Sequence, residues 1–343
     1  MKLATLDDGT RDGQLAVVSR DLKTGHVADG IAPSLRAALD DWPFIAPQLD
    51  VLYRQLNEGK ARRPFDFDPA RCLAPLPRAS GRVCGAAYLH HHELERRASG
   101  AELPAAWRDA PQLARAAADG FLGPRQDLVL AREEWGIDFG AELAVVSGDL
   151  AQGATPDEAH GQIRLLLLAN DVTLQNLVAD VVPNERAAGL GLLHAKPATA
   201  FAPVAVTPDE LGEAWRGGKA ALPLRVVWNG NPVGTLEAGE DMAFSFPQLL
   251  AALAGSRRVT AGTIVGTGVV ANRATRRHTP GYASIATQRW QEILDGGEAV
   301  TPYLRFGDTV RIEMLDENGK SLFGPIEQTV ASPAGSAATP PTR

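Results

Sequence analysis

Apolar residues in this 343-residue chain come in short runs such as LAVVS, ELAVVS, RLLLLA and LRVVW, each closed off by Gly, Asp or Asn. That punctuation constrains the fold more than any other feature. Apolar runs of four to eight residues bounded by turn formers read as strands, and Asp-Gly or Asn-Gly between two of them reads as a hairpin. LATL–DDGTRDGQ–LAVVS predicts hairpin chemistry at the start of the chain, and LPLRVVWNGNPVGTLEA predicts a second hairpin with Asn-Gly-Asn at its tip. FGDTVRIEMLDENGKSLFGPIEQTV predicts a third. The period changes over residues 33–60, where Ile45, Leu49, Leu52 and Leu56 recur at helical steps. DMAFSFPQLLAALAGSRRV predicts another helix, and YLHHHELERRASG turns helical near Tyr88. The expected fold class is therefore α+β and strand-rich.

A Pro- and Arg-rich connector, ARRPFDFDPARCLAPLPRASG, places a boundary near residue 78. It divides a small N-terminal unit, 1–78, from a larger one, 79–330. Residues 331–343, rich in Ala, Pro and Ser without apolar period, are expected to be a disordered tail. Composition then excludes several partner classes. A net charge of −7, from 34 basic and 41 acidic side chains, gives no electrostatic reason to expect nucleic acid. No apolar run approaches the roughly 18 residues of a membrane helix. MKLATLDDGTRDGQ lacks the pattern of a signal peptide, and two cysteines, Cys72 and Cys84, are too few for a disulfide framework. The expectation is a cytoplasmic protein with neither a membrane nor a nucleic acid as partner.

Five places carry side chains suited to chemistry. His90, His91 and His92 are consecutive and followed by Glu93; adjacent side chains point in different directions, so three neighbouring histidines cannot all ligate one metal. The alternative is a solvated cluster at a helix start. Asp138, Gly140 and Glu142 lie at two-residue spacing, on one face of a strand end, where carboxylates can hold a hard cation or simply meet solvent. Asn170-Asp171 closes the apolar run RLLLLA, as metal ligand, catalytic acid or turn residue. Lys196, one of only six lysines against 28 arginines, sits between apolar runs where solubility needs no charge. It suits oxyanion stabilisation, with a snorkelling lysine as the alternative. GTIVGTGVVAN reads as a loop whose backbone N–H groups, around Gly266 and Gly268, approach a ligand, though it is neither a P-loop nor a dinucleotide fingerprint.

Taken in order, YLHHHELERRASGAELP, FLGPRQDLVLAREEWGIDFGAELAVVSGD, IRLLLLANDVTLQNL, GLGLLHAKPATAFAPVAVTPDELGEAW, GTIVGTGVVAN and YLRFGDTVRIEM resemble the fumarylacetoacetate hydrolase family over roughly residues 80–330. The resemblance implies a mixed β-roll preceded by a small N-terminal β/α domain, and a homodimer. It also implies a small carboxylic acid substrate, a 2-oxo or 1,3-dicarbonyl acid, undergoing C–C hydrolysis or tautomerisation through an enolate. Carried over by position, it makes Glu142 and Asp171 ligands of Mg²⁺ or Ca²⁺, His91 the base with Glu93 as its orienter, and Lys196 the oxyanion stabiliser. Tyr88, Gln175, His194, Thr267 and Gly268 fall among the substrate-contacting positions.

Four departures stand against the matches. Gly140 replaces an expected glutamate ligand, Gln175 an arginine, and Thr287 a glutamate, while Ala114 and Arg115 stand where relatives have a Tyr-Gln-Gly-Gly stretch. A Mg²⁺ site short of one carboxylate is weakened. Either His90, His92 or His194 compensates and favours Zn²⁺, or the chain is a repurposed, metal-poor or metal-free member catalysing dehydration, cyclisation or isomerisation. A non-catalytic small-molecule binder is the third alternative. A glutamate restored at position 140 would complete the pair.

Overall fold

The computed structural model describes residues 1–181, 194–275 and 279–333. Its backbone is a large mixed sheet of twelve strands. The main path runs Phe65–Asp66, Thr24–Val27, Gln14–Val18, Lys2–Leu6, Ala205–Val206, Ile163–Asp171, Ala141–Ser147, Thr263–Gly266, Gly81–Gly85, Leu113–Ala116. The four N-terminal strands do not form a sheet of their own. Lys2 and Leu3 pair antiparallel with Val206 and Ala205, so the first 66 residues extend the sheet of the larger unit. A second sheet of five strands is built from both expected C-terminal hairpins, with Pro223–Trp228 pairing Asn231–Glu237 and Thr309–Met314 pairing Ile326–Ala331. Asn229 and Gly230, at the tip of the first, both take positive φ, as a two-residue turn between twisted strands requires.

The large sheet is covered on both faces, which explains why its central strands read as continuous apolar runs rather than alternations. In Ile163–Asp171, Leu166 and Leu168 enter one core, with Leu143, Val145 and Val265, while Leu165, Leu167 and Ala169 enter a second, with Ala144, Val146 and Phe201. The helix Trp42–Asn57 lays Leu49, Tyr53 and Leu56 on that second face; Leu49 and Leu56 belong to the helical stripe visible in the sequence. The helix Phe246–Ala254 starts at a Ser245/Gln248 capping box, and Leu89–Ala98 begins directly after Tyr88.

The architecture is strand-rich α+β, as expected. The tail begins later than its expected boundary. Ala331 is still strand, paired with Val129, and its carbonyl accepts from Leu130 N–H; residues 334–343 lie outside the described residues. The stretch 127–148, around the acids at 138 and 142, is broken into short pieces. It contains the short pairings Leu128–Val129 and Ile137–Asp138 before the long strand Ala141–Ser147. Among the described residues, no helix is long and apolar enough to cross a membrane.

The two-sided burial of Ile163–Asp171 sets a test of the fold. Leu167→Ala, deep in the second core, is expected to cost about 2–5 kcal/mol, read as a lower urea midpoint with an unchanged m value.

Candidate active site

The site grows out of the sheet's own periodicity. Side chains of the same parity share a face, so Asp171 points the way Leu165, Leu167 and Ala169 do, but it comes last, where the core ends. Glu142 opens the neighbouring strand, opposite Ala169. Two strands further on, Arg82 and Cys84 alternate onto the same side of Gly81–Gly85. The strand between them, Thr263–Gly266, puts Gly266 beneath the Glu142 carboxylate; a Cβ there would stand 2.9 Å from Oε2. The missing side chain leaves the space in which groups from three strands meet.

One guanidinium nitrogen of Arg82, Nη2, donates to Glu142 Oε1 at 3.0 Å and to Asp171 Oδ1 at 2.8 Å. Lys196 Nζ donates to Asp171 Oδ2 at 2.8 Å and to Thr173 Oγ1 at 2.7 Å. Thr199 Oγ1 donates to Asp171 Oδ1 at 2.8 Å, and Gly268 N–H to Glu142 Oε2 at 2.9 Å. Every carboxylate oxygen thus has a donor. The Arg82 and Glu142 side chains are 2% and 1% exposed, Asp171 6% and Lys196 25%, so Lys196 is the least enclosed side chain of the four. Burial, then the charge of Asp171, pushes Glu142 up to about 7. Burial would raise Asp171 as well, but Lys196 and Arg82 outweigh it and hold that carboxyl well below the usual range. Burial pulls Lys196 down, and Asp171 more than offsets it, so the amine stays charged.

This donor set does not fit Mg²⁺ or Ca²⁺. One ligand atom each from Cys84, Glu142 and Asp171 lie within 4.8 Å of one another, a spacing a cation could span. However, Mg²⁺ needs oxygens at about 2.0–2.1 Å and Ca²⁺ at about 2.3–2.6 Å, from several hard donors. Here the Arg82 guanidinium already bridges the two carboxylates, and burial raises the Cys84 thiol so that it is protonated. A glutamate at 140 would not complete a pair either. A Cβ on Gly140 would stand 2.6 Å from the Asp171 carbonyl oxygen, part of the strand that carries the site.

His91 is the second component. Its Nδ1 lies 2.8 Å from Thr287 Oγ1, and its ring meets Trp290 edge-on at 5.0 Å. Both partners sit on the helix Ile285–Gly296, whose N-terminus is held by Asp138. That carboxylate accepts from Ile285 N–H, Ala286 N–H and Ser284 Oγ. When Nδ1–H donates to Thr287, Nε2 keeps its lone pair for proton transfer. Burial, reinforced by His92, Lys196 and His90, holds the imidazole well below the ordinary histidine range.

Other expected residues are placed differently. Glu93 does not orient His91; its carboxylate pairs with Arg108 and Arg273, and Thr287 takes the orienting place. Tyr88 is buried with its hydroxyl donating to the Ala238 carbonyl at 2.5 Å, which makes it a strut rather than a substrate contact. Gln175 Nε2 is spent on Asp138 Oδ2 at 3.0 Å. Thr267 is buried and donates to the Gly268 carbonyl, while Gly268 N–H serves Glu142 instead of a ligand. Asp138 shares no metal face with Glu142, since it caps a helix. His194 is exposed, beside the segment 182–193 that lies outside the described residues. His90, His91 and His92 face different surroundings. His90 lies 3.9 Å from Glu93, and His92 packs on Trp107. Arg82, Cys84, Thr173 and Thr199 were not singled out by sequence reasoning; the available signal was a lone arginine two residues before Cys84 in a strand-length segment.

The family model described as fumarylacetoacetate (FAA) hydrolase C-terminal matches residues 82–331, and the one described as fumarylacetoacetase N-terminal domain 2 matches residues 1–78. Among solved structures, the chain is similar to a fumarylacetoacetate hydrolase from Exiguobacterium antarcticum, with 18% identity and a TM-score of 0.59 over 97% of this chain and 100% of that one. It is similar to a 2-hydroxyhepta-2,4-diene-1,7-dioate isomerase from Mycobacterium marinum, with 15% identity and a TM-score of 0.57 over 97% and 99%. A maleylpyruvate hydrolase from Sphingobium sp. SYK-6, in complex with manganese(II) and pyruvate, matches at 15% identity and a TM-score of 0.59 over 97% and 99%. The comparison with curated proteins gave no match.

Two measurements check this geometry. In histidine-resolved NMR, His91 is expected to titrate below 6.5, its ordinary value, and Thr287→Glu is expected to move it upward. Because the folded value lies below the unfolded one, the unfolded chain takes the proton first as pH falls, so His91 costs the native state stability as pH drops below about 6.5. Gly140→Glu is expected to lower the melting temperature, with no rise on addition of Mg²⁺.

Proposed function

Because the chain belongs to the fumarylacetoacetate hydrolase family, we propose that it is an enzyme acting on a small 2-oxo or 1,3-dicarbonyl carboxylic acid through an enolate. The observation that carries this reading is the geometry of two groups: a buried imidazole oriented by Thr287 at 2.8 Å, and a Lys196 ammonium held at 2.8 Å against Asp171 in the carboxylate cluster. Lys196 would receive the developing enolate oxygen, its own charge held in place by Asp171 and Thr173. His91 Nε2 would take the carbon-bound proton and return it, with Thr287 fixing the ring. Two of the three ammonium N–H groups are committed to Asp171 and Thr173, so one is left for a substrate oxygen. A metal ion in related enzymes can polarise the carbonyl as a Lewis acid, but no step here is assigned to one, since the donor set does not fit it.

Proton transfer, giving tautomerisation or isomerisation, is favoured over C–C hydrolysis by one feature. Thr287 orients His91 without supplying the negative charge that would stabilise an imidazolium, so the base is suited to a proton shuttled between substrate atoms. Homodimer formation belongs to the same reading and is read directly by light scattering.

The test is proton exchange. Incubated in D₂O with pyruvate, oxaloacetate and acylpyruvates, the protein is expected to exchange the α-protons of at least one, followed by NMR. His91→Ala and Lys196→Ala are each expected to slow exchange by about 100-fold or more while the circular dichroism spectrum stays unchanged. Exchange at the parent rate in both variants overturns the assignment. Binding of an oxo acid without exchange points to a binding protein.

A further inference from the structure

We propose that Arg82 is a built-in cation, occupying the place between Glu142 and Asp171 that a divalent metal ion would take and excluding one from the site. This inference rests on the proposed function only for what the site does, not for what occupies it. The geometry carries it. A single guanidinium nitrogen lies between the two carboxylates, at 3.0 and 2.8 Å, from a side chain that is almost wholly buried. It reaches there from Gly81–Gly85, on the far side of Thr263–Gly266, where Gly266 leaves room for the Glu142 carboxylate that receives it. The other oxygens are committed to Gly268 N–H, Thr199 and Lys196.

Charge counting agrees. With both carboxylates ionised, Glu142 and Asp171 are balanced by Arg82 and Lys196, and a proton on Glu142 leaves the set more positive still. Adding a dication to that set would bury two uncompensated positive charges, which the low-dielectric interior strongly disfavours. Nor can Arg82 give way by losing its proton, because a guanidinium stays charged in proteins. It would have to swing out of a packed sheet.

The buried cation also changes how a substrate is held. A metal holds an oxo acid by chelating two oxygens at once, whereas Arg82 is sealed beneath the carboxylates and offers the substrate nothing directly. Its role is that of a positioning residue. It fixes Asp171, Asp171 fixes Lys196, and of these charged groups the ammonium is the one that meets the ligand. The site therefore selects a substrate that one cation can hold by a carboxylate or an enolate oxygen, and it does so in the presence of chelators.

The test uses the full chain and Mn²⁺ as the probe, read by titration calorimetry and by the electron paramagnetic resonance of free Mn²⁺. The parent protein is expected to bind no Mn²⁺ at this site up to millimolar concentrations, and its melting temperature is expected not to move. Arg82→Met leaves Cys84, Glu142 and Asp171 with one cation too few. It is expected to melt lower than the parent and to gain one Mn²⁺ site at least about tenfold tighter, with Mn²⁺ raising its melting temperature. Adding Glu142→Gln to that variant is expected to abolish the gain.

One tightly bound Mn²⁺ in the parent, lost in Glu142→Gln, overturns the proposal, as does a folded Arg82→Met variant that binds no more Mn²⁺ than the parent. If Arg82→Met does not fold, the parent titration decides alone. Because occupancy rather than turnover is read, failure of the proton-exchange assay leaves this test intact. If exchange is observed, its insensitivity to EDTA is a further expected outcome, and its loss on chelation also overturns the proposal.

Discussion

A buried guanidinium cannot be left without carboxylates, and buried carboxylates cannot be left without donors. That mutual requirement among Arg82, Glu142 and Asp171 is the constraint on which the site depends. Each group alone would be costly to desolvate, by several kcal/mol per ion even after relaxation. Together they are tolerable because each oxygen has a donor and the charges cancel with Lys196. The cluster contributes little net stability for its size, but it imposes a unique register. Glu142, Asp171 and Arg82 sit on three different strands, and a one-residue slip of any of them would turn its charge into the opposite core. The charged cluster and the apolar faces thus specify the same arrangement of the sheet.

Much of the fold was legible because local chemistry and final structure agree. Asn229-Gly230 demanded a tight hairpin turn and formed one. Leu49 and Leu56 repeat at helical spacing and are buried together. Strand adjacency could not be read in the same way. The pairing of Lys2 and Leu3 with Val206 and Ala205 joins segments about two hundred residues apart, and nothing in either segment names the other. The connector near residue 78 was visible as a change in composition, yet the strands before it complete the sheet of the larger C-terminal unit.

The site was legible to the same extent and for the same reason. Asp171 and Lys196 stood out because a charge beside apolar runs is unusual, and they do meet, at 2.8 Å. Glu142 and His91 were placed by the family resemblance; Glu142 lies in the cluster, while His91 packs on Thr287 and Trp290. The failures share one cause. Tyr88, Gln175 and Thr267 carry polar groups that could face a ligand, but whether they do depends on the nearest buried partner. Ala238, Asp138 and Gly268 already occupy those groups. Glu93 lies two residues from His91, but on a helix such residues point about 200° apart, so its carboxylate finds Arg108 and Arg273 instead.

Arg82 was missed because its meaning comes entirely from a third strand. In sequence it is one of many arginines at the edge of an arginine-rich connector. It becomes an internal cation only because Glu142 and Asp171, 60 and 89 residues later, bring their carboxylates to its guanidinium. Gly140 is linked to the same change. Where a carboxylate might have completed a metal shell, the backbone instead runs too close to the Asp171 carbonyl for any Cβ, and the 140 and 171 peptide groups hydrogen-bond directly. With two acids, Glu142 and Asp171, set against two cations, Arg82 and Lys196, the cluster balances without a third carboxylate at 140. That balance keeps Asp171 ionised and holds Lys196, the least enclosed side chain of the four, against it.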